Sequence, residues 1–338
     1  MNKNPLLVNH AYVSGIKPSM RYDGSEDFEV WQARAKEKLS ELLGMKYLKR
    51  PENLNFKIEY QRVCEDYTEC RFTIMSEENY GFPCVLRYPN NEVGRIPLMI
   101  CLQGHSTGFH ISQGIPKFPG DEDSINGGDR DFLTYPIAEG FAALAIEQRN
   151  FGECGGDAVT GEPQCIVSTM SALLYGRTTI AERIHDVDCA IDAVLDNFNF
   201  IDKDSIMLMG NSGGGTATFY AACMLDKISL AMPSCSVCTY KDSIAAMYHC
   251  TCNFIPGIAN YFDMGDIAGI IAPRKLIVVN GKYDPIFPDV GVKESYAIIE
   301  KLYKSAGAPD NCALVTGDGG HRFYAKPAYA KLKEMLAK

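Results

Sequence analysis

Nowhere in this 338-residue chain do 18 apolar residues follow one another, and its first stretch holds only a short apolar run at residues 5–8. The first absence argues against a membrane-spanning helix and the second against a secretory leader, so a soluble, cytoplasmic protein is the expectation. Basic residues never gather into a block and the formal charge is −9. Neither nucleic acid nor an anionic membrane is therefore an expected partner. Internal repeats and low-complexity linkers are missing too, which favours one domain (55–338) with an N-terminal extension (1–54).

What is present is ordinary globular composition, 46% hydrophobic and 22% charged, enough to bury a substantial core. The 13 cysteines are odd in number, and several sit inside apolar runs, so they read as reduced thiols packed as small hydrophobes. One cluster, Cys235 and Cys238 followed by Cys250 and Cys252, has some likeness to a zinc framework. Its second pair is spaced CxC, however, and packed thiols with no metal are expected.

Periodicity orders the chain. Residues 30–45 alternate as an amphipathic helix, with Val30, Ala33, Leu39, Leu42 and Leu43 assigned to its buried face. Three extended runs (56–64, 70–77 and 81–89) suit an antiparallel edge. From residue 95 onward, buried-strand runs at 95–102, 141–149, 205–210, 228–235, 274–281 and 311–317 alternate with helical patterns, among them 178–198, 213–225, 293–307 and 326–338. This alternation predicts an α/β fold, a mostly parallel central sheet with helices on both faces.

Residues 206–215 carry the chemistry: a strand run, then Gly210, Asn211, Ser212 and three glycines. A phosphate loop would need a lysine after the glycines or a GxGxxG spacing, and neither is there. Gly210, Ser212 and Gly214 instead spell GxSxG, the turn that projects a nucleophile from a strand end into solvent. Glycine-rich turns with an idle serine also exist, so the remaining residues must decide. Ligands on such a sheet bind beyond the carboxyl ends of the strands. There the chain places Asp284 after the run at 274–281 and His321 after the last strand, giving the order Ser, Asp, His. A serine hydroxyl needs an imidazole to take its proton, for which His321 is the candidate base, and a carboxylate to orient the ring, for which Asp284 is the candidate over Asp289 and Asp318. The backbone N–H groups of Gly213 and His105 are the candidate oxyanion donors. His110 is read as a polar loop residue, His185 as part of a solvated helix face, and Arg149 as a structural partner of Asp186 or Glu182.

The set LQGH, EQRNFGE, GNSGGG, GKYDPIFP and GGHRF resembles the α/β-hydrolase serine esterases, in particular the bacterial branch of acetyl xylan esterases and dienelactone-hydrolase-like proteins. The resemblance runs from about Trp31 to the end. It departs from the family at Gln103, where many relatives have the histidine of an HG motif, and at Ser212, where dienelactone hydrolases carry cysteine. The resemblance implies an α/β-hydrolase fold and a serine esterase without cofactor, acting on a small-molecule ester, with acetyl on a carbohydrate or similar alcohol as the expected group. A prolyl-oligopeptidase-like peptidase and a silent hydrolase-fold binding protein are the alternatives. The aromatic excursion between residues 235 and 274 is expected to cover the serine, with Tyr248, Phe254 and Tyr261 as pocket walls.

Overall fold

A computed structural model describes residues 3–91, 94–155 and 164–337. Its centre is a nine-stranded sheet of β1 (Lys57–Val63), β2 (Tyr67–Glu77), β3 (Tyr80–Pro89), β4 (Ile96–Leu102), β5 (Ala142–Ile146), β6 (Ile201–Asn211), β7 (Ile228–Ser234), β8 (Lys275–Gly281) and β9 (Cys312–Gly317). They lie in the order β1-β2-β3-β5-β4-β6-β7-β8-β9. The first three strands pair antiparallel, as does β3 with β5, and every later pairing is parallel. The fully exposed β1 forms one edge, whereas β4, β5 and β7 are buried almost throughout, as continuous apolar runs demand.

The helices are α1 (Pro5–Gly15), α2 (Phe28–Leu43), α3 (Thr134–Ala138), α4 (Gln164–Leu173), α5 (Thr179–Asn197), α6 (Gly213–Met224), α7 (Met264–Ile267), α8 (Asp289–Ser305) and α9 (Ala325–Leu336). One large core holds α2, α5, α6 and α8 against one face of the sheet, and a smaller core holds α9 against the other. In α2 the buried residues are Phe28, Trp31, Ala35, Leu39 and Leu43. Val30 and Ala33, expected inside, are exposed. Trp31 sets the rotation: its indole N–H donates to the Met20 carbonyl at 2.7 Å while the ring joins the main core. The expected solvated face of α5 is also corrected, because His185 is buried and its Nε2 lies 2.8 Å from the Ser76 carbonyl oxygen.

Candidate active site

The parallel strands β4, β6, β8 and β9 end on one side of the sheet, and the loops leaving them bring together residues far apart in sequence. At the end of β6 the chain turns straight into α6, and Ser212 takes φ 57° and ψ −122°. A side chain held in that region costs on the order of 1–3 kcal/mol and persists only where its surroundings enforce it. Here the Ser212 N–H donates to the Ser234 carbonyl at 2.8 Å and the Ser212 carbonyl accepts from Thr216 at 2.8 Å. A Cβ on Gly210 would stand 2.5 Å from the Gly214 backbone, so the strand and helix could not approach with larger residues.

His321, beyond β9, places Nδ1 2.8 Å from Oδ2 of Asp284. The other carboxylate oxygen, Oδ1, accepts from the N–H groups of Ile286 (2.8 Å) and Phe287 (3.1 Å). Burial alone would raise the Asp284 carboxyl, but the His321 hydrogen bond and charge and the two N–H donors outweigh it and hold it below its ordinary value. The rival acids lie elsewhere: Asp289 pairs with Lys293, and Asp318 is exposed.

Ser212, Gly213, His105 and His321 line one cavity of about 390 Å³, with Arg130, Ile166, Tyr248, His249, Ile286 and Phe287 among its walls. Gly213 opens α6, where N–H groups have no acceptor inside the helix. The His105 ring lies against it, with Nδ1 3.2 Å from where a Gly213 side chain would begin. Of the three aromatics expected to wall the pocket, Tyr248 does so. Phe254 instead lines a separate apolar hollow with Val13 and Ile16, and Tyr261 packs on the main core beneath the Lys38 ammonium. The excursion meets α1 at Phe254 and α2 at Tyr261, and neither ring borders the cavity.

Arg130 is the functional candidate that strand-end reasoning missed, because it sits within a long loop rather than directly after a strand. No hydrogen bond or ion pair engages its guanidinium among the described residues, and burial pulls it below its ordinary pKa. Gln103 braces this loop: its Nε2 donates to the Arg130 carbonyl at 2.7 Å and to Ser112 Oγ at 2.8 Å. Arg149 pairs with Asp186 at 2.7 Å, as expected, and also with Glu77. His110 is no solvated loop residue; it is buried against Asp121 at 2.8 Å. The two cysteine pairs separate, Cys235 Sγ donating to the Arg322 carbonyl and Cys238 Sγ approaching the Pro288 carbonyl, away from Cys250 and Cys252.

The sheet order, the strained serine between β6 and α6 and the acid and histidine beyond β8 and β9 define an α/β-hydrolase fold. Solved structures bear this out. A "putative acetyl xylan esterase" from Bacteroides fragilis NCTC 9343 superposes with a TM-score of 0.77 at 17% identity, covering 94% of this chain and 83% of its own. A glucuronoyl esterase from Solibacter usitatus superposes with a TM-score of 0.67 at 14% identity, covering 95% and 97%. In sequence, a Bacillus subtilis (strain 168) protein named "Putative hydrolase YtaP" is 27% identical over 222 residues, spanning 63% of this chain and 71% of that protein. No family model matches the chain.

Proposed function

We propose that the protein is a serine hydrolase of carboxylic esters that works through an acyl-enzyme and releases a small acyl group from a carbohydrate or similar alcohol. The observation that carries this reading is that one cavity holds Ser212 in its strained turn and His321 hydrogen-bonded to Asp284. In the reaction, Ser212 Oγ attacks the ester carbonyl as His321 Nε2 takes its proton; Asp284 keeps the ring in the Nδ1–H tautomer and offsets the imidazolium charge. The N–H groups of Gly213 and His105 receive the oxyanion. The imidazolium then protonates the departing alcohol, and a water activated by the same imidazole releases the acid. Esterases among the similar structures support the reaction class.

Arg130 favours a second form of the substrate, an ester at a sugar's own carboxyl group, since the acid formed would leave a carboxylate in a cavity holding a guanidinium that has no partner among the described residues. The glucuronoyl esterase among the similar structures fits that form. Steady-state kinetics on acetylated sugars, methyl uronates and aryl esters from acetate to octanoate separate the readings. Turnover of acetylated sugars supports the first and turnover of uronate esters the second, whereas a steady rise toward octanoate contradicts both. Ser212→Ala should fold and lose several orders of magnitude in rate; retention of more than about a tenth of the activity would remove Ser212 as the nucleophile.

A further inference from the structure

Beside the elbow, four side chains of ligand type converge from three distant parts of the chain. The Nε2 of His105 and the Sγ atoms of Cys165, Cys250 and Cys252 all lie within 4.8 Å of one another. Cys252 Sγ is 3.4 Å and Cys165 Sγ 3.7 Å from His105 Nε2. Zinc binds thiolate at about 2.3 Å and imidazole nitrogen at about 2.0–2.1 Å, so the corners of its tetrahedron stand roughly 3.5–3.8 Å apart. The sulfur-to-nitrogen edge is the shorter, about 3.5–3.6 Å, and the two observed separations fall on either side of it.

These three thiols stand apart from the cysteines of the main cores. Cys70, Cys84 and Cys101 fill space within the two main cores, but Cys165 and Cys252 belong to a minor cluster whose other buried member is Phe151, with Cys250 at its margin. All three thiols are free of disulfides. A second observation concerns Arg183 of α5, whose buried guanidinium reaches Cys252 Sγ at 3.7 Å, Cys165 Sγ at 3.8 Å and the Arg149 carbonyl at 3.0 Å. Among the described residues no carboxylate pairs with it, and sulfur atoms are the charge partners that surround it. An uncompensated buried cation is costly, and thiolates would supply the missing negative charge.

We propose that His105, Cys165, Cys250 and Cys252 bind a zinc ion at the wall of the catalytic cavity. On binding, three S–H protons leave to solvent, three Zn–S bonds form, and neutral His105 completes the tetrahedron through Nε2. The ion and its ligands then carry one net negative charge, which Arg183 offsets. Four protein ligands close the coordination sphere, so the ion is structural and takes no part in hydrolysis. It ties the loop after β4, the start of α4 and the excursion between β7 and β8 into one wall, and His105, Cys165 and Cys250 all border the cavity. The proposal departs from the expectation of merely packed thiols at Cys250 and Cys252.

The test needs no ester. Protein purified without chelator from zinc-supplemented cells should contain about one zinc per chain, and stripping it should lower the melting temperature. Cobalt added to the stripped, reduced protein should give the intense visible bands of a tetrahedral site with thiolate charge-transfer absorption. Cys165→Ser and Cys252→Ser should lose both the zinc and those bands; where a variant is insoluble, the cobalt spectrum of the wild-type protein decides. Less than about 0.1 zinc per chain together with no cobalt bands overturns the proposal, as does zinc retained undiminished in both variants.

Discussion

Gly104 lies directly behind the nucleophile candidate: a Cβ built on it would stand 2.8 Å from the Ser212 Cβ and 2.7 Å from the Asn211 carbonyl oxygen. Because one of those neighbours is backbone, Gly104→Ala must push the elbow. The expected cost is about 1–3 kcal/mol of stability, read from urea unfolding. A nucleophile displaced by even about 1 Å can lose on the order of 100-fold in rate, so kcat/KM should fall with it. Unchanged stability and rate would show that the elbow has slack.

Asp284→Asn separates orientation from folding. An amide at this position can keep its oxygen on the N–H groups of Ile286 and Phe287 while turning its NH2 toward His321. The imidazole would then have to accept at Nδ1 and carry its proton on Nε2, where it cannot act as a base. We expect kcat to fall on the order of 10⁴-fold with a melting temperature close to wild type. A variant retaining near-normal kcat would exclude the acid role.

Glu147 gives the protein a pH dependence of its own. Burial pushes its carboxyl from the ordinary 4.5 up to about 8, against the pull of the Phe109 and Glu153 N–H groups. Between those values the folded state holds more protons than the unfolded state, so this group's contribution to stability is full below about 4.5 and is lost as pH rises through about 8. Unfolding free energies at pH 5, 6.5 and 8 should decline more steeply in the wild type than in Glu147→Gln. Parallel curves would contradict the assignment.

Arg149 binds Asp186 and Glu77, each at 2.7 Å, and Arg177 binds the same Glu77 at 2.7 Å. Among the described residues, removing Arg149 leaves buried Asp186 with no cationic partner and Glu77 with Arg177 alone. Arg149→Met is expected to destabilise the fold by about 3–5 kcal/mol by chemical denaturation, far more than loss of an exposed pair such as Lys203 with Asp204.

The strands, and the convergence of Ser212, Asp284 and His321, were legible because both follow local rules: continuous apolar runs make buried strands, and polar residues just past parallel strands share one end of the sheet. What escaped has a different physical origin. Arg130 owes its place to Gln103, which holds a distant carbonyl, and no local pattern announces that contact. Phe254 and Tyr261 can be recognised as aromatic but not aimed, since their direction depends on where the excursion packs, against α1 for Phe254 and beneath Lys38 of α2 for Tyr261. Helix α1 does carry a signal, Asn4 capping it ahead of Pro5, in a stretch whose short apolar run says only that it is no secretory leader. On α2 the expected face holds at Leu39 and Leu43 and fails at Val30 and Ala33, because the rotation is set by the Trp31 indole bond to Met20, a contact outside any helical period.

The residues proposed for the chemistry and those that shape the cavity sit on different kinds of structure. Ser212, Asp284 and His321 ride on the ends of strands locked into the sheet, while Tyr248 and His249 ride on the excursion between β7 and β8. Exposed Tyr248 can therefore vary, and with it what the cavity admits, without disturbing the strands that carry Ser212, Asp284 and His321, whereas its neighbours Tyr240, Ile244 and Ile255 are built into the core and cannot.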